Sequence, residues 1–551
     1  GAPPRSPARS VQDILAGDAN PPPPILQMES PRDMGRDDVS LDRYYTKAWH
    51  DLEVKTVWQK VWQMACRVED IPNVGDTEIY DIVHDSLIIV RTGTGPADIR
   101  AYVNSCLHRG TILRTEGGNV RHLKCPVHGI TWGLDGKLAG LPCAWDFPQV
   151  DREKFCLPEA KVGLWGGFVF INFDPNCEPL ESYLECLPEH FKAFNLENRY
   201  KAVHGGKVLP CNWKLAQDAF LEAYHTPIVH PEMTLTVSDQ NMQHDILSDH
   251  VTRDLCAMAS PSPTAKISQT QQELLDTMVM GDRSVVAERL MVPEGKTARW
   301  VMANQLRRQM AEQYGLDYSG HSVPEMIDSL KYTVFPNLFV EPAPGFPLIL
   351  TFRPDGHDPD RSLFDVMVMR PQPTDGSQWE PAEPIVIEED GSYCDVPGFD
   401  LLFGRVLDQD TSIMRWQREG MYASGKGAQS LSIYQEARIR HIHDMIDRYL
   451  ARVLPGLSRI DSAYAPYVFG HLADGNIHLT LNCEGPLPPA RHKAVEDVLY
   501  ERIGALGGSF SAEHGVGSKR IGALNATASP AKLALMRTLK AAIDPLGIMN
   551  P

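Results

Sequence analysis

The chain has 551 residues and a mass of 61.4 kDa, more than one hydrophobic core usually organises, so we expect two or three domains. Its composition, 43% hydrophobic and 23% charged, is that of an ordinary globular protein. The formal net charge of −18 argues against non-specific nucleic-acid binding, which requires clustered Lys and Arg, and favours proteins and small molecules as partners.

Membrane and export signals are the next classes to consider. The apolar runs are shorter than the roughly 18 residues that span a bilayer, and the first residues lack the apolar core of a secretory signal. We therefore expect a cytoplasmic protein that binds no membrane. Eleven cysteines without the compact spacing of a disulfide framework are typical of reduced thiols and metal ligands.

The first two regions of the chain differ in residue composition. Residues 1–38 are rich in Pro, Ser, Arg and Asp, and we interpret them as an extended arm because they contain little that could form a core. From Asp76 to about Phe173, short runs of Ile, Val and Tyr alternate with turn signals. This pattern predicts a small antiparallel β domain.

Two pairs of Cys and His lie inside this β region. Cys106 and His108 form the first pair, and Cys125 and His128 follow after sixteen residues. Pairs at this spacing can lie on facing loop tips around a metal centre. Two thiolates on one iron and two imidazoles on the other describe a Rieske [2Fe-2S] cluster. The alternative is a structural zinc site, but zinc fingers of this composition usually pair Cys with Cys and His with His.

The residues around these pairs resemble the Rieske domain family. The two segments that carry the resemblance, with Trp132 close behind, are Cys106-Leu107-His108-Arg109-Gly110 and Cys125-Pro126-Val127-His128-Gly129. Respiratory-chain Rieske proteins have one further cysteine in each loop, and neither loop has one here. The resemblance therefore implies the oxygenase or ferredoxin branch of the family, with residues 39–175 as the all-β Rieske domain.

The chain continues beyond the Rieske motif into a helical region. We expect helix around residues 178–195 and over 212–224, where Pro227 and Pro231 end the helical pattern. Residues 240–330 are polar with several plausible helices. Strand-like segments at 333–340, 348–352 and 364–369 then give this region an α+β character. We predict one further helix over 430–450, with an apolar stripe formed by Ile439, Ile442, Met445, Ile446 and Tyr449.

Two histidines follow the predicted helix over 212–224. Two His and one carboxylate on one face of Fe(II) leave open positions for oxygen activation. The segment from Asn212 to His230 resembles the iron-binding helix of Rieske aromatic-ring oxygenases. His225 and His230 are therefore candidate iron ligands, although two histidines near a proline are more often structural when no Rieske motif precedes them.

The third ligand must be a distant carboxylate. Asp408 and Asp410, followed by Gln417 and Gly420, resemble the ligand segment of the same family, and we choose Asp410. By itself, an acidic pair that opens a helix usually provides only favourable charge at the helix N-terminus.

The electron-transfer bridge departs from the family pattern. In the family, an aspartate three residues before the first His ligand links the iron to the Rieske cluster of a neighbouring subunit, and this sequence has Glu222 there. Asp218, expected one helical turn earlier on the same face, is a rival for that role. Either carboxylate could instead be an ordinary solvated helix residue.

The resemblance to the alpha (terminal oxygenase) subunit of ring-hydroxylating oxygenases covers about residues 40–451, with residues 176–451 as the catalytic mononuclear iron domain. It implies electrons from NAD(P)H through a reductase, and in some systems a ferredoxin, to the cluster and then to the iron. It also implies a head-to-tail homotrimer, with a beta subunit in some members.

Residues 452–551 resemble a different family, the C-terminal part of FAD-linked oxidases of 2-hydroxy acids. The resemblance is carried by residues 469–478, 507–517 and 543–551. It implies a divalent-metal site, suited to zinc or manganese, at His471, His478 and Glu513. The flavin-binding domain has no counterpart in the sequence, so we expect a fused α/β module with a structural or interaction role, without bound FAD.

We therefore predict an α+β oxygenase component with one [2Fe-2S] cluster and one mononuclear Fe(II). Its substrate would be an aromatic or apolar molecule, hydroxylated or oxidatively demethylated as in aromatic hydrocarbon catabolism. Two alternatives belong to other classes: a Rieske electron-transfer protein without oxygenase activity, and an FAD-linked 2-hydroxy-acid dehydrogenase fragment.

Overall fold

The structure is a computed structural model that describes residues 3–281, 289–451, 465–469 and 478–482. The chain divides into two compact units, residues 1–445 and 446–551. In the described ranges, none of the helices has the length and apolar character needed to cross a membrane. The ten cysteines of those ranges are all free thiols.

The N-terminal segment forms short helices instead of a bare arm. Helix α1 (Val11–Leu15) begins at Ser10, whose side chain forms a capping box with Asp13. It is followed by α2 (Pro24–Gln27), β1 (Val39–Ser40), α3 (Asp42–Tyr45) and α4 (Lys47–Glu53). The expectation that residues 1–38 contribute little to a core is wrong, because Val11, Ile14, Leu15 and Leu26 are buried.

Residues 63–172 form the predicted antiparallel β region. Its strands are β2 (Gln63–Arg67), β3 (Asp76–Ile82), β4 (Asp85–Arg91), β5 (Ile99–Val103), β6 (Gly118–Asn119), β7 (Leu123–Lys124), β8 (Thr131–Trp132), β9 (Leu138–Gly140), β10 (Glu159–Trp165) and β11 (Phe168–Asn172). Seven of them form one sheet in the order β2-β11-β10-β5-β4-β3-β6, and β7-β8-β9 form a second sheet. A core that includes Ile88, Tyr102 and Trp132 also contains Cys106 and Cys125.

The following region combines helices with one large sheet. Its elements are α5 (Leu180–Leu184), α6 (Leu187–Phe191), β12 (Arg199–Leu209), α7 (Trp213–Asp218), α8 (Thr226–Val229), β13 (Gln243–Ile246), β14 (Val251–Cys256), α9 (Gln271–Gly281), α10 (Ala298–Tyr314), α11 (Val323–Ile327), β15 (Ser329–Val334), β16 (Leu338–Val340), β17 (Leu348–Pro354), β18 (Ser362–Pro371), β19 (Ile385–Ile387), α12 (Leu401–Tyr422), β20 (Ala428–Gln429) and α13 (Ala437–Ala451). The sheet order is β13-β14-β15-β16-β17-β18-β12-β19.

Neighbouring strands of this sheet are antiparallel except for the parallel β12–β19 pair. The predicted fold class of an all-β Rieske domain followed by an α+β domain is confirmed. The apolar stripe predicted on the helix now seen as α13 is also confirmed, since all five residues are buried. In the second unit, β21 (Ala465–Phe469) pairs antiparallel with β22 (His478–Asn482).

The sequence predicts several helices over 240–330, but β13 and β14 lie in that range, and β12 is a further strand that the sequence pattern does not predict. Strand β14 is entirely buried, yet it carries Arg253 and Asp254. Arg253 pairs with Asp245 of β13 at 2.6 Å, and Asp254 pairs with Arg438 of α13. Buried charges that are paired with ions of opposite sign break the hydrophobic pattern from which a strand is predicted.

The N-terminal segment runs along β13, the edge strand of the large sheet. The backbone N–H of Ile246 donates to the carbonyl of Ser30 at 2.9 Å, and the Gln12 amide donates to Gln243 at 2.7 Å. Asp18 forms an ion pair with Arg299 of α10 at 2.7 Å, in which both side chains are almost fully buried. The segment is therefore part of the folded unit.

Candidate iron sites

The two predicted cluster-binding loops have the same backbone arrangement. In the first loop, the N–H of Gly110 donates to the carbonyl of Cys106, and the N–H of Cys106 donates to the carbonyl of Thr111. In the second loop, Gly129, Cys125 and Ile130 form the same two bonds. Both glycines have positive φ, 76° and 74°, a conformation that residues with a Cβ adopt at a cost. Each loop thus places a glycine four residues after its cysteine, in Cys106-Leu107-His108-Arg109-Gly110 and Cys125-Pro126-Val127-His128-Gly129, and the two matching turns require it.

The four predicted cluster ligands lie together between these loops. Cys106 and Cys125 are buried, with 3% and 2% exposure, and their thiols hydrogen-bond to each other. The rings of His108 and His128 lie edge to face with centroids 4.8 Å apart. The Nδ1 atom of His108 is buried and has no hydrogen-bond partner among the described residues. Paired thiols, paired imidazoles and an orphaned ring nitrogen fit a [2Fe-2S] cluster with two Cys and two His ligands.

The electrostatics of the two thiols point the same way. Burial raises the pKa of Cys106. Burial also opposes ionisation of Cys125, but the backbone N–H groups of Val127 and His128 outweigh it and lower the pKa of this thiol. Backbone donors aimed at sulfur would stabilise thiolate ligands in the same way.

His225, His230 and Asp410 converge at the second candidate site. The Nε2 atom of His230 lies 2.8 Å from Oδ1 of Asp410, and the Nε2 atom of His225 lies 3.3 Å from the same oxygen. The two Nε2 atoms are 3.3 Å apart. One ligand atom from each of the three residues lies within 4.8 Å of the others, so the group could hold a metal ion. A two-His, one-carboxylate set fits Fe(II) with open coordination positions.

The other nitrogen of each imidazole is held by a side chain. Nδ1 of His225 lies 2.6 Å from Glu222, and Nδ1 of His230 lies 2.7 Å from the Gln409 side-chain oxygen. Gln409 in turn donates to Glu232 at 3.0 Å. These contacts fix both rings with Nε2 toward the common centre. Sequence reasoning missed the roles of Gln409 and Glu232, although the position of Gln409 beside Asp410 placed it within reach of the site.

The local backbone explains how the ligands meet. Helix α7 begins at Asn212, whose side chain caps it, and ends at Asp218, six residues earlier than predicted. Turns then lead to His225 before the short helix α8. Pro227 lies in the first turn of α8, where its missing N–H costs nothing, so it begins a helix and does not end one. The break between α7 and α8 brings His225 and His230 together.

Asp410 lies in the middle of the 22-residue helix α12. The expectation that Asp408 and Asp410 open a helix is wrong, because the helix begins after Asp400, whose side chain accepts from two backbone N–H groups. Asp408 points to another partner, the N–H of Tyr393 at 2.9 Å. Asp410 is buried with 3% exposure and faces the two histidines.

Burial disfavours the protonated form of His225, but hydrogen bonds to Asp410 and Glu222 outweigh it and raise its pKa to about 10. Burial also opposes ionisation of Asp410, and the two imidazoles lower its pKa below the ordinary value. Asp410 is thus a carboxylate held between two imidazoles in the protein interior. A divalent cation bound there would replace the positive charge of the imidazoles beside this carboxylate.

Glu222 and Asp218 have different neighbours, contrary to the expectation that they share one helix face. Glu222 lies beyond the end of α7. Its carboxylate contacts two atoms of His225, Nδ1 at 2.6 Å and the backbone nitrogen at 3.1 Å. Asp218 accepts a hydrogen bond of 2.7 Å from the Tyr44 hydroxyl. The predicted metal residues His471 and Glu513 lie outside the described residues, and only the backbone of His478 is described, at the start of β22.

Three protein families match parts of the chain. Residues 61–151 match the Rieske [2Fe-2S] domain, and residues 189–452 match the ring hydroxylating alpha subunit (catalytic domain). Residues 439–551 match the C-terminal domain of FAD linked oxidases.

Curated proteins and solved structures are also similar to parts of this chain. The chain is 29% identical over 197 residues to the glycine betaine monooxygenase oxygenase subunit of Pseudomonas aeruginosa, covering 35% of this chain and 45% of that protein. It is 30% identical over 192 residues to the biphenyl 2,3-dioxygenase subunit alpha of Rhodococcus jostii, covering 33% and 41%. The matched region thus spans about half the length of these relatives.

A crystal structure of a quaternary ammonium Rieske monooxygenase with L-carnitine is similar in fold, with a TM-score of 0.52 and 16% identity over 75% of this chain and 95% of that one. Naphthalene 1,2-dioxygenase with bound indole has a TM-score of 0.50 and 17% identity, over 76% and 93% of the two chains. The homologues of this chain are therefore alpha subunits of Rieske oxygenases.

Proposed function

We propose that this chain, which carries the Rieske and catalytic domains of Rieske oxygenase alpha subunits, is the terminal oxygenase component of such a system. The convergence of His225, His230 and Asp410 downstream of a complete set of Rieske ligands carries the proposal. A protein that only transfers electrons would need the first set alone. The second set is what oxygen chemistry requires.

The residues of the chain prepare both metal sites. Glu222 and Gln409 would fix the orientation of the two imidazoles, and Asp410 would supply the carboxylate ligand. Cys106, His108, Cys125 and His128 would hold the cluster. When bound, the cluster supplies single electrons and the Fe(II) supplies the capacity to activate O2.

We also propose that Glu222 is the electron-transfer bridge to the cluster of a neighbouring subunit. Its two carboxylate oxygens already hold His225, one at Nδ1 and the other at the backbone N–H, whereas Asp218 faces Tyr44. His128 is exposed and could reach a partner chain. This role calls for a head-to-tail homotrimer, with an NAD(P)H-dependent reductase and in some systems a ferredoxin or a beta subunit as partners.

The proposed substrate is an aromatic or apolar molecule. An apolar group next to the ligand segment contains Ala223, Val237, Met242 and Cys256, with Met233 and Met258 packed against it. Methionine side chains adapt to irregular apolar shapes. The relatives include oxygenases named for biphenyl, chlorobenzene, glycine betaine and carnitine, so aromatic and trimethylammonium compounds are the two panels to test.

For residues 452–551 we propose a structural or interaction role, with a divalent cation held by His471, His478 and Glu513. We also propose domain boundaries at residues 38, 175 and 451. The match of residues 439–551 to the FAD-linked oxidase C-terminal domain supports the identity of the module.

Metal analysis followed by turnover tests the proposed function. We expect about two cluster irons with two acid-labile sulfides, and about one mononuclear iron, per chain. Anaerobic NADH reduction through a surrogate reductase, followed by admission of oxygen with each substrate panel, should yield a hydroxylated or demethylated product. Equimolar zinc without visible absorbance would contradict the Rieske assignment, and a reducible cluster without product from either panel would favour an electron-transfer protein.

A further inference from the structure

Three side chains meet at the hydroxyl of Tyr44, which is buried in α3 with 1% exposure. Asp218 Oδ2, at the end of α7, lies 2.7 Å from this hydroxyl, and His443 Nε2, in α13, lies 2.8 Å from it. The side-chain amide of Gln429, in β20, donates to it at 2.7 Å. Three separate elements thus contribute one side chain each to a single oxygen atom, which a fourth element carries.

The number of hydrogens limits how these bonds can be arranged. A tyrosine hydroxyl has one proton to donate and two lone pairs. The Gln429 amide nitrogen can only donate, so it takes one lone pair. Asp218 and His443 must then share the remaining lone pair and the single proton. The hydroxyl donates to one of them and accepts from the other.

Two arrangements satisfy this condition, and they differ by one proton. In the first, Tyr44 donates to ionised Asp218 and accepts from Nε2–H of neutral His443. In the second, protonated Asp218 donates to Tyr44, and Tyr44 donates to Nε2 of a His443 that carries its hydrogen on Nδ1. All the hydrogen bonds survive the change, so the protein can pass between the two arrangements without moving its backbone.

Both ends of this chain of groups are buried and unpaired. Nδ1 of His443 and Oδ1 of Asp218 have no hydrogen-bond partner among the described residues. Buried polar atoms without partners are rare in folded proteins and call for an explanation. Here they lie at opposite ends of a three-group chain, where a proton would enter and leave.

We propose that His443, Tyr44 and Asp218 form a buried proton relay toward the iron site, an inference that rests on the proposed oxygenase function. One proton binds Nδ1 of His443, the Nε2–H bond breaks as a new O–H bond forms on Tyr44, and the original Tyr44 O–H bond breaks as Oδ2 of Asp218 becomes protonated. One proton enters, one is stored on Asp218, and no electron is transferred.

The charged groups around the relay suit this task. Lys214 lies with Nζ 5.6 Å from the centre of the Tyr44 ring and is neutralised by Glu53 at 2.8 Å. The other charged groups that act on Asp218, Tyr44 or His443 are Arg43, Arg440, Glu222 and Glu436. Burial raises the pKa of Asp218 to about 7, against hydrogen bonding by Tyr44, so this carboxyl can gain and lose a proton near neutral pH.

His443 and Asp218 are suited to opposite ends of the relay. Burial lowers the pKa of His443 well below the ordinary histidine value, so this ring stays neutral except while a proton passes. Asp218 precedes Glu222 by four residues, and Glu222 contacts His225. The relay therefore ends on the segment that carries the iron ligands.

The proposed reaction requires such a supply. Insertion of one oxygen atom from O2 into a C–H bond consumes two electrons and two protons and releases water. His230 and Asp410 are almost fully buried, so protons need a path through the protein. The reductase supplies electrons, and the relay would supply protons.

Infrared difference spectroscopy between pH 5 and 9 on the full-length holoprotein tests the relay without turnover. We expect a protonated-carboxyl band that titrates near pH 7, is lost in Asp218→Asn and shifts its midpoint in Tyr44→Phe. Tyr45→Phe is the matched control, because Tyr45 is the next residue and its hydroxyl bonds Asp42. A band that is unchanged in Asp218→Asn would overturn the proposal.

Kinetics supply the second measurement. Tyr44→Phe and His443→Gln should slow product formation by about 10²-fold, with a larger solvent deuterium isotope effect and more released peroxide, while cluster reduction by the reductase stays unchanged. If Tyr44→Phe does not fold, His443→Gln decides alone. Normal coupled turnover in the folded variants would overturn the relay. If the wild-type protein forms no product, the oxygenase assignment fails instead, and the infrared result still tests the relay.

Discussion

The two candidate metal sites are built in opposite ways. The four cluster ligands come from two short loops within residues 106–128, and His128 is exposed to solvent. The iron ligands come from segments about 180 residues apart, and His230 and Asp410 have only 3% and 4% of their side chains exposed. An exposed site suits electron entry from a partner protein, and an enclosed site suits oxygen chemistry that must exclude water.

Removal of a metal ligand at either site should have the largest effect, and the iron ligands are the first test. We expect His225→Ala or His230→Ala to lower turnover by at least about 10³-fold, because the metal supplies several kcal/mol of the catalysis. The visible and EPR spectra of the cluster should stay unchanged, since its ligands lie on other loops. His357→Ala, an exposed histidine, is the control. Loss of the cluster spectrum in His225→Ala would show that the two sites do not form independently.

Removal of a cluster ligand tests whether the iron site forms without the cluster. Cys106→Ser should abolish the visible spectrum of the cluster and NADH-driven turnover, while mononuclear Fe(II) still binds because His225, His230 and Asp410 are untouched. Iron counting and Mössbauer spectroscopy check this result. Cys143→Ser, which changes an exposed cysteine after β9, is the matched control. An iron content of zero in Cys106→Ser would contradict the comparison.

The same contrast determines what a sequence can predict. The Rieske site is local: ligand spacing and two glycines with positive φ define matching turns, so residue order alone indicates the site. In the iron site, His225 and His230 are near neighbours in sequence, but Asp410 meets them only through tertiary packing. Its choice over Asp408 rested on family resemblance, and the geometry around Asp408 explains why that residue faces elsewhere.

Some features could not be predicted because they depend on distant partners. The contact of Tyr44 with His443 joins residues that are 399 positions apart in the sequence. The buried strand β14 was missed because Arg253 and Asp254 find their ion partners on other segments. Long-range polar pairs leave no periodic signal in a sequence.

Glu222→Gln should sharpen the comparison by breaking the link between the sites. Both metals should remain bound. Electron transfer from cluster to iron should slow by about 10- to 100-fold, because a neutral amide orients His225 less firmly and couples the two sites less strongly. Single-turnover stopped-flow spectroscopy with a prereduced cluster measures this rate. A normal rate in Glu222→Gln would contradict the assignment of the bridge to Glu222.

Asp218 should also affect stability in a pH-dependent way. Its pKa is about 7 in the folded chain against an ordinary value of 3.8, so the folded state retains a proton that the unfolded state has lost between these values. As the pH rises from 4 to 7, the free energy of unfolding of the wild type should therefore fall relative to that of Asp218→Asn, by up to about 1.4 kcal/mol per pH unit. Urea unfolding at several pH values measures this difference, and parallel curves would contradict it.

The smallest effect should follow from removal of the C-terminal module. Truncation after Ala451 should leave cluster, iron and turnover in place, because the ligands of both sites lie before that residue. Metal analysis and turnover of the truncated chain check this expectation, with reduced solubility or assembly as the main change. A folded but inactive truncation, or full-length protein that purifies with stoichiometric FAD, would show that the module has a catalytic part.

The N-terminal segment that runs along β13 affects how other chains can pair with this edge of the sheet. An uncovered edge strand offers free N–H and C=O groups on which another chain can add a strand. Ser30 already occupies the N–H of Ile246, and the buried Asp18–Arg299 ion pair anchors the segment near the edge. The N-terminal segment therefore occupies part of the hydrogen-bonding edge of β13, which leaves fewer free N–H and C=O groups on which a strand of another copy could add.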